Sequence, residues 1–156
     1  MTQDIREILS SRFRDIHFVQ KPIGLVATVL EWQWREVAEF CHADERLAFD
    51  FLFNYTAVDR PPEDIEVYAQ LFSYLHRHKL VLRVVLERDE PELKTLSSIW
   101  PAANWYEREM FDLFGIVFLG HPNLKRLFLP DYWKGHPLLK DYQDDRIVPL
   151  PEVLSE

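Results

Sequence analysis

Three consecutive segments in the middle of the chain alternate apolar and polar residues with a period of two. The apolar positions are Phe49, Phe51, Phe53, Tyr55 and Ala57 in the first segment, Ile65, Val67, Ala69 and Leu71 in the second, and Leu80, Leu82, Val84 and Leu86 in the third. A period of two is typical of strands with one buried face. The links between the segments are short, which predicts an antiparallel meander.

Helical spacing appears before this sheet. Apolar residues recur every three or four positions over residues 3–13 and again over residues 33–42, which predicts two helices. Residues 17–20 and 25–30 read as two further strands, separated by a turn at Pro22 and Gly24. The expected fold class is therefore α+β, with helices packed on an antiparallel or mixed sheet.

A third helix is predicted between Pro101, which suits a first turn, and Gly115, which suits the position after the last turn. One stripe of this helix is apolar and is expected to face the core. Its members are Tyr106, Met110, Leu113 and Val117.

Beyond Gly115 the periodicity fades, and five of the ten prolines lie there. We therefore predict an α+β domain over residues 1–120 and an extended, Pro-rich C-terminal arm over 121–156. The arm carries bulky apolar residues without a helical or strand period. Such residues need a surface to bury against, which is either the chain's own domain or a partner.

Length and charge narrow the function classes. A chain of 156 residues fits one domain with a tail. Its net charge of −8 argues against nucleic acid as a partner, because phosphate binding needs a basic surface. The N-terminus lacks the apolar stretch of a signal peptide, and the uncharged apolar runs fall short of the ~20 residues of a membrane span. Membrane contact is therefore expected only through partners.

The residue types needed for a resident cofactor are scarce. One cysteine, Cys41, cannot hold an iron–sulfur cluster, and four widely spaced glycines form no nucleotide-binding loop. His76 and His78 offer two ligands for zinc, but a turn exposing polar residues is favoured because no third ligand lies near. We expect no catalytic, cofactor-binding or metal-binding residue in this chain.

The third helix carries four charges close together: Glu107, Arg108, Glu109 and Asp112. Arg108 and Asp112 are spaced to pair along the helix, while Glu109 and Asp112 repel each other one turn apart. That repulsion predicts cationic partners from elsewhere, and Lys125 or Arg126 would supply them if the chain folds back after Gly120. Paired carboxylates also suit acid–base catalysis, but a satisfied charge cluster is favoured.

The segment around these charges resembles the signature of the 30 kDa subunit family of NADH dehydrogenase, which forms the C subunit of respiratory complex I. The resemblance is strong over about residues 95–142. The residues that carry it are Glu107, Arg108, Glu109, Asp112, Gly115, His121, Pro122, Arg126, Gly135, His136, Pro137, Lys140 and Asp141. Leu139 departs from the family, which commonly has Arg there. His121 and His136 each precede proline, and hydrogen-bonding anchors are expected there.

The resemblance implies a non-catalytic assembly subunit in the peripheral arm of a proton-translocating NADH:quinone oxidoreductase. Such a protein packs on the hydrogenase-like large subunit (the D subunit), which forms the quinone pocket, near the B subunit, which holds the terminal iron–sulfur cluster. Flavin and clusters would reside in partner subunits, and the signature residues would serve at interfaces. The expected location is peripheral, on the cytoplasmic face of the membrane.

Two alternatives remain open. One is the equivalent subunit of a related ferredoxin- or deazaflavin-driven complex, or of a membrane-bound hydrogenase. The other is a free-standing hydrolase that uses Glu109, Asp112 and a histidine. Activity of the isolated chain would distinguish the hydrolase from both kinds of subunit.

Overall fold

A computed structural model describes residues 2–147 of the protein. The helices are α1 (Thr2–Arg12), α2 (Trp34–Ala43) and α3 (Ala103–Phe114), with one 3₁₀ turn at Glu31–Gln33 before α2. The strands are β1 (His17–Lys21), β2 (Gly24–Thr28), β3 (Phe51–Arg60), β4 (Asp64–Phe72), β5 (Lys79–Glu87), β6 (Glu92–Lys94) and β7 (Val117–Leu119). Helices α1 and α2 begin and end within one residue of the predicted bounds.

Five strands form one mixed sheet in the order β1-β2-β5-β4-β3. Strands β3, β4 and β5 pair as the predicted antiparallel meander. Strand β2 joins the other edge of β5 in parallel, while the short β6 and β7 pair separately, also in parallel. The α+β prediction is confirmed.

One apolar cluster joins the inner face of the sheet to all three helices. The inward residues of β5, such as Leu80 and Leu82, are fully buried, and α2 contributes Trp34 and Val37. Burying an aliphatic side chain of this kind stabilises the fold by about 1.5–3 kcal/mol. Cys41 is also buried here, and desolvation raises the pKa of its thiol above the usual value. The sheet and the three helices, within residues 2–119, thus form one packed unit, here called the platform.

The first predicted strand was wrong in its phase. The prediction gave Phe49, Phe51 and Phe53 the same face as Tyr55, but β3 begins only at Phe51 and its register shifts between Leu52 and Asn54. The bulge turns Leu52 toward the core and leaves Phe51 exposed. An extra residue in one strand reverses the side-chain alternation on either side of it.

The predicted apolar stripe of the third helix was wrong at its last residue. Helix α3 ends at Phe114 because Gly115 adopts a left-handed conformation with φ 79°. Val117 therefore lies in β7, where it is exposed. Pro101 lies in the turn before α3 rather than in its first helical turn. Strands β6 and β7 are three residues long and give no periodic signal.

After β7 the described chain, from Gly120 to Ile147, contains no helix or strand. Leu124 and Leu139 of this stretch pack against the core cluster. The rest of the predicted arm, residues 148–156, lies outside the described residues. The division of the chain at residue 120 stays a prediction. Within residues 2–147, no helix has the length and apolar character needed to cross a membrane.

Candidate interaction site on helix α3 and the arm

Asp112 is the main anchor between α3 and the arm. Its side chain is buried, and one carboxylate oxygen accepts a hydrogen bond of 2.8 Å from the guanidinium of Arg126. The other oxygen accepts hydrogen bonds from three consecutive backbone amides, those of Leu127, Phe128 and Leu129, at 2.7–3.0 Å. Burial alone would raise the pKa of Asp112, but these donors hold it below the usual value.

Arg126 extends this anchor along the arm. Besides Asp112, its guanidinium donates to the carbonyl of Trp133 at 3.1 Å and to that of Gly135 at 3.4 Å. One arginine thus joins α3 to two backbone carbonyls of the arm. The prediction that Arg126 meets an acid of α3 after a fold-back is confirmed.

Arg108 does not pair with Asp112, so that part of the prediction was wrong. Its guanidinium donates instead to the carbonyls of Lys125 and Arg126, at 3.2 and 3.1 Å, and lies 5.1 Å from the ring centre of Trp105. An irregular segment leaves backbone groups without ladder partners. Asp112 of α3 therefore accepts hydrogen bonds from amides of the arm, and Arg108 donates hydrogen bonds to carbonyls of the arm.

Two signature glycines are required by close packing as well as by conformation. A side chain at Gly115 would come within 2.7 Å of the ring of His136, and one at Gly135 within 2.8 Å of the ring of Tyr142. His136 is fixed above Gly115 by a 2.9 Å hydrogen bond between its Nδ1 and the carbonyl of Asp112. These contacts place Gly115, Gly135 and His136 in the same cluster as Asp112.

Glu107 forms a second anchor on the opposite side of α3. Its buried carboxyl accepts hydrogen bonds from Thr95 Oγ1 at 2.5 Å and from the amide of Leu96 at 2.6 Å. His121 Nε2 lies 3.8 Å from the same carboxyl. Burial raises the pKa of Glu107 to about 7, against the lowering effect of its two hydrogen bonds.

His121 holds the start of the arm against α3. Its Nε2 lies 3.1 Å from the carbonyl of Asn104, and its Nδ1 accepts a hydrogen bond from the amide of Asn123 at 3.0 Å. The hydrogen-bonding role predicted for His121 and His136 is confirmed by these contacts. Pro122, the residue after His121, lines a cleft beside α2.

The third anchor holds the end of the signature. The amide of Lys140 donates to buried Asp59 of β3 at 2.7 Å, and Arg88 bridges Asp59 and Asp141 at 2.7 and 2.5 Å. Hydrogen bonds from Arg88 lower the pKa of Asp59. Sequence reasoning missed Asp59 and Arg88. Asp59 could have been found in the sequence, because it lies on the same inward face of β3 as Tyr55 and Ala57. A charged residue on a buried face needs a partner.

Glu109 is not part of any of these anchors. It is half-buried and forms no hydrogen bond or ion pair within residues 2–147. Pro137 is likewise half-buried, between His136 and the exposed Leu138. The structure thus gathers most signature residues into three anchors and leaves Glu109 facing outward.

The geometry does not favour the hydrolase. Asp112 already accepts four hydrogen bonds, which occupy its lone pairs and stabilise the ionised form, so it is poorly suited to accept a proton. Its carboxylate faces the arm's backbone rather than a cleft. In the part of the chain that the structure describes, no three His, Cys, Asp or Glu side chains are grouped to hold a metal ion.

The anchored arm presents large apolar side chains to solvent. Phe128 is 65% exposed, Tyr132 80% and Leu138 49%, although the backbone amides of Phe128 and Leu138 are hydrogen-bonded to α3. On α3 itself, Trp105 is 60% exposed. A rigid segment that exposes aromatic residues has the composition of a protein interface.

The anchors lie within a stretch that matches a known family. The family model described as the respiratory-chain NADH dehydrogenase 30 kDa subunit matches residues 27–147. The chain belongs to this family. The resemblance is therefore confirmed, and the match extends from the end of β2 through α3 to the end of the described arm.

Relatives in the 30 kDa family include the C subunit of NADH-quinone oxidoreductase from Roseiflexus sp. (strain RS-1), 44% identical over 109 residues. That match covers 68% of this chain and 62% of the relative, so the chain spans somewhat less than two thirds of it. The combined C/D subunit of the same enzyme from Acinetobacter baumannii (strain AYE) is 38% identical over 149 residues, which cover 88% of this chain and 25% of the relative.

Two solved structures share the fold. The trypsin-resistant fragment (1-134) of Nqo5 superposes with a TM-score of 0.65 and 29% identity, covering 80% of this chain and all of the fragment. A chain of the membrane-bound sulfane sulfur reductase, an archaeal respiratory membrane complex, gives a TM-score of 0.77 over 90% of this chain and 84% of its own length. Its identity is 23%, so the likeness is one of fold.

Proposed function

We propose that this chain is a non-catalytic assembly subunit of a proton-translocating NADH:quinone oxidoreductase. In this role it lies in the peripheral arm of the complex and supports the hydrogenase-like large subunit that forms the quinone site. The protein with the terminal iron–sulfur cluster is its second neighbour. The enzyme is proposed from the 30 kDa family and the names of relatives. The combined C/D subunit of one relative supports the large subunit as a neighbour, and the iron–sulfur protein is proposed from the family resemblance alone.

The observation that carries this proposal is the exposed arm. Contacts at His121, Asp112 and Asp59 hold the arm to the platform, yet the side chains of Phe128 and Tyr132 are largely exposed. A free protein gains nothing from fixing aromatic side chains in water, since ordering a segment costs roughly 1–2 kcal/mol per residue. A partner that buries these aromatics gains a preorganised surface, which lowers the entropic cost of binding.

Affinity purification of the tagged chain from cells tests the proposal. Wild-type protein is expected to recover the large subunit, the iron–sulfur protein and NADH:quinone reductase activity. The double variant Phe128→Ser, Tyr132→Ser is expected to recover at least tenfold less, because central aromatic contacts contribute about 2 kcal/mol or more. Circular dichroism of the variant checks that the platform remains folded.

A matched control comes from the opposite end of the domain. Tyr74 and Leu75 lie in the turn after β4 and are similarly exposed. The double variant Tyr74→Ser, Leu75→Ser is expected to recover the complex normally. Equal recovery with both double variants would show that the arm is not the attachment surface. If the wild-type chain recovers no respiratory proteins, the function itself is overturned.

The same preparation decides between electron donors. The fold is shared with a chain of an archaeal respiratory complex that is named as a sulfane sulfur reductase, so the alternative of a ferredoxin-driven complex or hydrogenase is tested alongside. A complex that is reduced by NADH supports the favoured assignment. Reduction by ferredoxin or by a deazaflavin, with no response to NADH, would transfer the chain to the related complex.

The proposal includes the location of the redox groups and of the complex. Flavin and iron–sulfur clusters belong to partner subunits, and the chain reaches the cytoplasmic face of the membrane only through them. The single cysteine is buried in the core, where its thiol is held protonated. Metal and flavin analysis of the isolated chain is expected to find neither in stoichiometric amount, and a stoichiometric cluster would refute this part.

A further inference from the structure

Three carboxylates are buried among residues 2–147: Asp59, Glu107 and Asp112. Two of them have an arginine at hydrogen-bond distance, Asp59 with Arg88 at 2.7 Å and Asp112 with Arg126 at 2.8 Å. Glu107 has neither lysine nor arginine within 4.0 Å in the described chain. A buried carboxylate without a cationic partner favours its protonated form.

Two other titratable side chains face Glu107 without a hydrogen bond to it, those of Arg35 and Tyr55. Arg35 of α2 faces it from a distance, and its guanidinium is committed to the carbonyl of Thr95, to Ser98 and to Glu39. Tyr55 of β3 lies on the inner side, where its hydroxyl is buried and its pKa is raised well above the usual value by that burial.

His121 lies beside Glu107, with its Nε2 3.8 Å from the carboxyl. Both ring nitrogens of His121 already have backbone partners. Nδ1 lies 3.0 Å from the amide nitrogen of Asn123, and Nε2 lies 3.1 Å from the carbonyl oxygen of Asn104. The hydrogen bonds to Glu107 therefore come from Thr95 and Leu96 rather than from His121.

A chain of hydroxyl groups leads from Glu107 to solvent. Thr95 Oγ1 lies 2.5 Å from the carboxyl and 2.8 Å from the hydroxyl of Ser97. Ser97 lines an open cleft of about 690 Å³ between α2, the β6–α3 connection and the turn after β7. Hydroxyls donate and accept, so a proton can pass along such a chain when each group rotates.

We infer that Glu107 is a proton-binding site that exchanges with the cleft through Thr95 and Ser97. When ionised, Glu107 accepts hydrogen bonds from Thr95 and from the amide of Leu96. When protonated, it donates to Thr95, whose own proton then turns toward Ser97. The charge state of a buried acid thereby reverses the direction of hydrogen bonding at the cleft surface.

The sign of the pH dependence follows from burial, which raises the pKa of Glu107 to about 7 from an ordinary value of 4.5. The folded chain therefore binds this proton more tightly than the unfolded chain does. The stabilisation is complete below the ordinary value, falls as pH rises toward 7, and is absent above it. This direction is opposite to that of Asp59 and Asp112.

Infrared titration of the whole chain tests the inference, because only a protonated carboxyl group gives the carbonyl band that is followed. Wild-type protein is expected to lose one such band with a midpoint at about pH 7. Glu107→Gln is expected to lack the titrating band. Glu109→Gln, on the same helix but outside the anchors, is expected to keep it. Persistence of the band's titration in Glu107→Gln would overturn the assignment.

Two further measurements keep the test decisive if Glu107→Gln fails to fold. Site-specific carbonyl labelling of wild-type protein reports the midpoint directly, and a midpoint more than about one pH unit below 7 would overturn the inference. Thr95→Val removes a donor to the ionised form and is expected to tighten proton binding about tenfold, one pH unit. The control is Asn104→Ala, because Asn104 lines the same cleft without a side-chain hydrogen bond to the relay, and this variant is expected to leave the midpoint unchanged. An unshifted midpoint in Thr95→Val would remove Thr95 from the relay.

Discussion

The β3–β5 meander and the C-terminal arm are held in place by different physics. Every residue of β4 pairs with β5, and the inward residues of these two strands are apolar. The arm has no ladder, and its main polar contacts with the platform are those of His121, Asp112 and Asp59, beside the packing of Leu124 and Leu139 on the core. The sheet spreads its stability over many similar contacts, whereas the arm concentrates it in a few buried charges.

This difference sets how each region responds to change. Apolar burial is non-directional, so one lost side chain weakens the sheet without releasing a particular strand. A buried carboxylate is directional, and removing it leaves several donors unsatisfied together. The sheet should therefore unfold as a unit, whereas the loss of one anchor should be enough to release the arm.

The largest effect is expected from Asp112→Ala. The change leaves Arg126 and three amides without their acceptor, which costs about 3–5 kcal/mol at a buried pair. Trypsin should cleave the arm at Lys134 and Lys140 much faster, while the β4 and β5 amides stay protected from hydrogen exchange. Glu109→Ala is the control and should cost less than about 0.5 kcal/mol. Equal loss of protection in the arm and in β4 and β5 would show that the two regions do not respond separately.

A comparable loss, but spread over both regions, is expected from Leu82→Ala. Leu82 is fully buried in β5, and such truncation costs about 2–5 kcal/mol. Urea denaturation should show a lower midpoint with an unchanged slope. Because the arm rests on the platform, cleavage at Lys134 should then follow global unfolding. If the arm of this variant were cleaved before the sheet unfolds, the position of the arm would not depend on the platform.

Acid should separate the two regions without any mutation. The pKa values of Asp112 and Asp59 are lowered by their donors, so their stabilisation is present above the ordinary value near 4 and is lost as pH falls below it. Each unit of lowering corresponds to about 1.4 kcal/mol. Arm cleavage by an acid-active protease should therefore rise several-fold at about pH 3 while β5 amides remain protected. Asp112→Asn should flatten this dependence.

The smallest effect is expected from Asp141→Ala. Asp141 pairs with Arg88 at the surface, and its side chain is 65% exposed, so the pair contributes about 0–1 kcal/mol. Asp59→Ala removes the buried partner of the same arginine and should cost several-fold more. Thermal unfolding of both variants measures the difference. A larger loss from Asp141→Ala would mean that the surface pair, not the buried one, fixes the end of the signature.

The sheet could be predicted from the sequence because its signal is local and repeated. Alternation over β4 and β5 indicated the meander, and helical spacing indicated α1 and α2 within a residue. The inward-facing residues of β3 were predicted wrongly because a bulge at Phe53 reverses the side-chain alternation. The order of apolar and polar residues does not indicate this bulge. The parallel pairing of β2 with β5 depends on a long connection through α2, β3 and β4, which the pattern of no single segment can indicate.

The anchors could be predicted only in part. The crowding of charges on α3 indicated that Asp112 needs donors, and Arg126 was among those expected. Three of its four donors are backbone amides, however. Every residue except proline has such an amide, so a sequence pattern cannot indicate which ones will bind Asp112. The pairing of Arg108 with carbonyls was missed for the same reason. Asp59 was recoverable as a charge on the inward face of a strand.

The position of Asp112 in the chain also bears on biosynthesis. The chain leaves the ribosome from its N-terminus, so β3–β5 and α3 are complete before residues 126–129 emerge. Until then the carboxylate of Asp112 lacks its four donors, and burying it is unfavourable. The final packing of α3 around Asp112 is therefore expected only after Leu129 has left the ribosome.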